Sequence, residues 1–201
     1  MKKPILSSLF ILSFFTFLWN CSNPSNIEKQ SSENTPSTVN YLDKGKQIAA
    51  LSFATLSQRL QKAIQEGGIP NAIQYCNLAA HPITDSLSNA HQATIRRTSL
   101  KYRNASNQPT ELEQTVLEEY AKNMEQGLPL QPILKQIGQQ EKFFFAPILI
   151  QEPCLNCHGK LSENIVESNY QLLKNLYPED KAIGYNKGEL RGIWSIQFLD
   201  K

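Results

Sequence analysis

Three residues in one short stretch have the types and spacing of a cofactor or metal site. They are Cys154, Cys157 and His158, within "EPCLNCHGK" at 152–160. In a C-x-x-C-H motif the two thiols add across the vinyl groups of a haem and form thioethers. The histidine that follows then lies beneath the iron as an axial ligand. Two other chemistries draw on the same residues. Zinc could be held by Cys76, Cys154, Cys157 and His158, a Cys₃His donor set. That set is awkward, because the adjacent Cys157 and His158 would both have to reach one ion. The third alternative is a Cys154–Cys157 dithiol or disulfide, although no βαβ pattern frames it.

A haem iron held by His158 has a second axial position to fill. After removal of Met1 the candidates are Met124, His81, His91 and Cys76. Met124 falls near the end of a polar helix, "EEYAKNMEQG". His91 sits in the polar "SNAHQA". His81 precedes Pro82 and could cap the end of a helix, where its charge meets the dipole favourably. Cys76 lies among small apolar residues in "AIQYCNLAA", a setting that equally suits a buried structural thiol. The residues alone leave this choice open.

The thioether chemistry belongs outside the cytoplasm, and the N-terminus agrees. Residues 1–20 read as an export signal, with Lys2 and Lys3 before the apolar run "ILSSLFILSFFTFLW". That run is short of the ~20 apolar residues of a comfortable membrane span. "FLWNC" resembles a lipoprotein cleavage site, which would leave Cys21 as a lipidated N-terminus. Trp19 and Asn20 are larger than the residues usual there, and an uncleaved anchor is the alternative. Residues 21–40 are rich in Ser, Asn and Pro and read as a flexible tether. Residues 41–201 are enough for one domain with a real core.

The formal net charge of +2 comes from Lys2 and Lys3; beyond them 18 basic residues balance 18 acidic ones. With no basic stripe, nucleic acid is not an expected partner. No nucleophile–base pairing, phosphate-cradling loop or paired carboxylates stand out, so an enzyme is not expected.

The elements that must position the motif follow from periodicity. Residues 41–68 read as one long helix, ended by Gly67-Gly68. A second helix starts near Pro70 and stops before Pro82. Residues 94–109 read as a strand and a loop. Residues 110–127 are a helix with Thr110 as N-cap, Glu113 closing a capping box and Gly127 as terminator. Residues 141–151 form an aromatic, β-branched strand. Residues 162–177 are a helix capped by Ser162, and 188–200 a closing strand. Early helices and late strands give an α+β domain.

Four blocks carry a resemblance: "AIQYCNLAAHPITDSL", "IRRTSLKYRNASNQPTELE", "APILIQEPCLNCHG" and "AIGYNKGELRGIWSIQF". Together they resemble, in the same order and over nearly all of 41–201, the single-haem, PAS-like c-type cytochrome domain of bacteria, of the cyanobacterial haem-protein type. Where the family often has N-P-A-N, this chain has Asn104, Ala105, Ser106 and Asn107, which alters the loop rather than the motif. The resemblance implies a PAS-like antiparallel sheet with a long N-terminal helix and further helices. It implies one covalent haem c, ligated by His158 and by Cys76 in the early helix.

Arg96, Arg97 and Arg103 lie in the second block. Their forked cations suit haem propionates, and solvated surface is the alternative. Tyr102 and Trp194 could pack on the macrocycle or in the core. A thiolate ligand favours ferric iron, hence a low reduction potential. The expected function is low-potential electron transfer by a lipid-anchored haem protein of the bacterial cell envelope, periplasm-facing or at the outer membrane. Its partners would be the membrane and a redox or signalling protein. The alternative is a redox or gas sensor, in which loss of the thiolate on reduction admits CO or NO.

Overall fold

The structure, a computed structural model, describes residues 40–138 and 140–199. The readings of 1–20, of most of the 21–40 tether and of Cys21 lie outside them. Among the described residues no helix is long and apolar enough to cross a membrane.

The long first helix, α1 (Tyr41–His91), has two arms. Gly67 and Gly68 leave helical geometry, and Gly68 takes φ 71°, a conformation natural only to glycine. The break frees carbonyls of the preceding turn, and Asn71 Nδ2 donates to the Ala63 carbonyl at 2.8 Å. Pro70 then sits in the first turn of the second arm, where its missing N–H costs nothing. The sequence pattern ends that arm before Pro82, but it continues to His91. Proline weakens a helix by removing one bond, yet packing outweighs this here. Thr84 is buried, and Thr84 Oγ1 donates to the Ala80 and His81 carbonyls at 3.2 and 2.8 Å. Beyond it, Ser88 Oγ accepts the Ile95 N–H at 3.0 Å, tying the arm to the sheet.

The sheet consists of β1 (Ala93–Thr98), β2 (Ile133–Ile137), β3 (Glu141–Leu149) and β4 (Leu190–Phe198). All pairings are antiparallel, in the order β1-β4-β3-β2. β2 is an element the sequence reading does not anticipate; its partner β3 holds it in place. On one face Ile48 and Ala49 of α1 pack against Ile95, Phe144, Trp194, Ile196 and Phe198. On the other, Val116, Leu117 and Tyr120 of α2 (Glu111–Glu125) meet Phe145 and Ile193. The alternation of β4 thus separates two apolar layers, as period-2 patterning requires. The capping box of Thr110 and Glu113 forms as expected.

A third cluster joins the second arm of α1 to the C-terminal helices. Ile73 packs with Ile165 and with Leu173 of α4 (Glu167–Leu176), and Cys157 borders it. The motif itself forms a 3-10 turn, Glu152–Cys154, followed by the one-turn α3 (Leu155–His158). The helix expected from Ser162 begins at Glu167 instead. Ser162 has φ 66° and belongs to a turn in which its N–H donates to Ile165 O at 3.0 Å.

Candidate cofactor site

Both arms of α1, α3 and the ends of β1, β3 and β4 surround a cavity of about 450 Å³. Its size falls in the ~300–1,000 Å³ range of small-molecule sites. Cys76, Cys154, Cys157 and His158 all line it. The walls are mainly aliphatic, with Leu56, Leu60, Ile64, Ile73, Ile148 and Leu173 among them, and Tyr102 and Trp194 add aromatic faces. The lining includes Arg97, Arg103 and Arg191, and no Asp or Glu. A second groove, of about 770 Å³ and lined by more polar residues, lies beside it; it shares His81, Arg97 and Asn107 but contains none of the thiols.

His158 is fixed by its backbone neighbour. Its Nδ1–H donates to the Ala182 carbonyl at 2.7 Å, which leaves Nε2 as the nitrogen with an available lone pair. Burial, with Arg191 and Arg103 nearby, holds its pKa well below the usual imidazole range and outweighs the Ala182 bond. The ring is therefore neutral at pH 7, the form that ligates metals. A second set of bonds secures the Ala182 carbonyl. Arg103 donates to it at 3.2 Å, donates to the Cys157 carbonyl, and pairs with Asp180 at 3.1 Å. Asp180 Oδ1 accepts the Ala182 N–H at 2.8 Å. The Arg103–Asp180 pair thus clamps α3 to the 180–182 loop.

The three thiols are free and half-buried. Burial raises the Cys76 and Cys157 pKa values; Arg97 and Arg103 pull Cys76 the other way, and Arg103 does so for Cys157. Cys76 and Cys154 each add to the raising of Cys157, so the three sulfurs lie within electrostatic reach of one another. Among the described residues no three His, Cys, Asp or Glu side chains are grouped to hold a metal ion. The zinc alternative therefore lacks a cage.

Of the other ligand candidates, His81 lines the cavity, but Ser106 Oγ lies 3.0 Å and Asn104 Nδ2 3.4 Å from its Nε2. It sits inside the second arm of α1 rather than capping its end. Met124 lies on α2, the helix that packs on the sheet face away from α1, and His91 is in the last turn of α1; neither lines the cavity.

The arginines divide. Arg96 is absent from the lining and pairs with buried Glu113 at 3.1 Å, also donating to Gln108 O at 2.9 Å. Its expected role toward a cofactor has no geometric basis here. Arg97, its neighbour on the strand, points the other way by strand alternation. Arg97 lines the cavity and lies 5.9 Å from the centre of the Trp194 ring. The reading of the sequence did not single out Arg191, Asp180 or Ala182. Arg191 stands in a quoted block, but nothing in its spacing shows which face it takes.

The lining suits a mostly apolar group with anionic substituents. No curated protein matches the chain. A solved structure, described as the cyanobacterial heme-protein Tll0287, superposes with a TM-score of 0.56 at 24% identity. The match covers 78% of this chain and 94% of that one, and it shows a shared fold, the PAS-like α+β arrangement. Residues 26–198 match the model of the Tll0287-like family, and with that coverage the chain belongs to the Tll0287-like family.

Proposed function

We propose that this protein carries one covalent haem c and serves as a low-potential electron carrier, not an enzyme. In this reading Cys154 and Cys157 attach the macrocycle, and His158 and Cys76 ligate its iron. One observation carries it. The C-x-x-C-H histidine is locked to Ala182 through Nδ1, and it lines an apolar cavity together with all three described thiols. The solved relative described as a heme-protein adds support.

A haem bound there supplies one-electron exchange at its iron. The chain's own residues set the terms. His158 offers a neutral nitrogen already oriented by its second-shell bond. Burial raises the Cys76 pKa, and Arg97 and Arg103 oppose that rise; bound to iron as an anion, its sulfur would favour the oxidised state. The aliphatic walls exclude water and lower the local dielectric.

We also propose that lipidation of Cys21 holds the domain at the bacterial cell envelope, where a redox protein is its partner. The segment pattern at 1–21 supports this.

The test is the full chain produced with c-type maturation machinery present. Colour should remain on the chain after denaturation and acid–acetone extraction. The oxidised protein should show a weak near-infrared charge-transfer band that Cys76→Ala abolishes. Extraction of all colour would end the covalent reading. An unchanged band in the variant would remove Cys76 as ligand. Binding of CO or NO by the reduced protein would move the function to sensing.

A further inference from the structure

We infer that Arg191 and Arg97 form a two-arginine clamp that binds the two carboxylates of a tetrapyrrole in this cavity. The clamp rests on the haem reading above and assigns its anionic substituents to particular side chains.

The first observation is a β-bulge. On β3 the consecutive residues Ile148 and Leu149 pair with Gly192 and Leu190, so Arg191 is an extra residue on β4. A bulge shifts the alternation by one and re-aims side chains. Regular alternation would put Arg191 with Ile193, on the α2 face, and Leu190 with Trp194. The structure has the reverse. Leu190 packs with the α2-face cluster, whereas Arg191 lines the cavity beside Gly192 and Trp194. Gly192 permits the close approach. A Cβ there would lie 2.3 Å from the Thr98 carbonyl of β1.

The second observation is the distribution of partners. Arg96 is committed to Glu113 and Arg103 to Asp180. Arg97 has no hydrogen-bond acceptor and no carboxylate partner among the described residues; its neighbour is the Trp194 ring. Among the described residues Arg191 donates only to the Lys101 carbonyl, at 3.1 Å, and it lies 5.7 Å from the Tyr185 ring centre. Each guanidinium has five donors. Burial lowers the pKa of both, that of Arg191 to about 10, and for Arg191 the neighbouring Arg97 and Arg103 add to the fall. Two such cations in an aliphatic cavity without Asp or Glu are costly alone and become favourable when planar carboxylates complete them. A guanidinium binds a carboxylate through two parallel bonds, and two arginines suit two propionates.

The test uses the holoprotein, its covalent pigment checked by acid–acetone extraction, as wild type and as Arg191→Gln, Arg191→Lys, Arg97→Gln and Arg96→Gln. Resonance Raman reads the propionate bending bands, which respond to hydrogen bonding at the carboxylates. Arg191→Gln and Arg97→Gln should each shift a band, and Arg96→Gln should shift none. Arg191→Lys keeps the charge and loses the fork, so its band should move while its reduction potential stays. Arg191→Gln should lower the potential through loss of a nearby cation. If Arg191→Gln does not retain pigment, Arg191→Lys decides. Bands unchanged in every holoprotein variant at Arg191 overturn the clamp and leave the haem reading intact. A wild-type chain without covalent pigment overturns both.

Discussion

The pair to perturb is Arg103–Asp180, because it holds the loop that holds His158. Arg103 Nε lies 3.1 Å from Asp180 Oδ2, and their side chains are 14% and 1% exposed. Asp180→Asn keeps the shape and an oxygen that can accept the Ala182 N–H, so the change is mainly one of charge. Removing one partner of a buried pair costs about 3–5 kcal/mol, since the other charge is stranded. Arg103 retains the carbonyls of Cys157 and Ala182, so the lower end applies, about 3 kcal/mol. In a domain of this size each kcal/mol moves Tm by about 2–4 °C, giving a fall of about 6–12 °C. Urea unfolding followed by far-ultraviolet circular dichroism measures the same loss as a lowered midpoint with unchanged slope. Adding Arg103→Met removes the stranded cation and should restore part of the stability. A loss below about 1 kcal/mol in Asp180→Asn would refute the reasoning, because that is the behaviour of a solvated surface pair.

Glu113 both closes the α2 capping box and receives Arg96. Glu113→Ala should lose about 2 kcal/mol in chemical denaturation, and Glu113→Gln, which can retain the box, should lose less. Gly192→Ala forces a Cβ against the Thr98 carbonyl, so β1 and β4 must part. The expected cost is about 3 kcal/mol, visible as faster amide exchange along both strands. The chain made without haem should show a pH signature of His158. Its folded pKa is lowered by burial, then by Arg191 and Arg103, so the unfolded state binds the proton more readily. Stability is then full above the unfolded value of about 6.5 and falls by about 1.4 kcal/mol per pH unit as pH drops below it. His158→Asn should flatten that slope between about pH 5 and 6.5; an unchanged slope would assign it to another group.

Local signals suffice where a few neighbouring residues decide the outcome. The Thr110–Glu113 box, the Gly67-Gly68 break and the aromatic run of β3 are of that kind. Local signals do not suffice where distant packing decides. Pro82 predicted a stop, but Thr84 and Ser88 bind the segment beyond it. Ser162 looked like a cap, but the turn through Ile165 claims it. β2 has a weak pattern of its own and exists through pairing with β3.

The sequence by itself determined the chemistry on offer: two thiols and an imidazole in C-x-x-C-H, a third thiol at Cys76, and helices and strands in a fixed order. Such features are local, since they depend on covalent spacing and on backbone preferences over a few residues. Only the tertiary structure decided which groups share the cavity. It brought Cys76 and the motif to one cavity and put Met124 on the helix across the sheet. It paired Arg96 and Arg103 with carboxylates and turned Arg191 inward through one extra residue in β4. The physical reason is that charge pairing and strand phase are set by partners far along the chain, and no spacing within a segment encodes them.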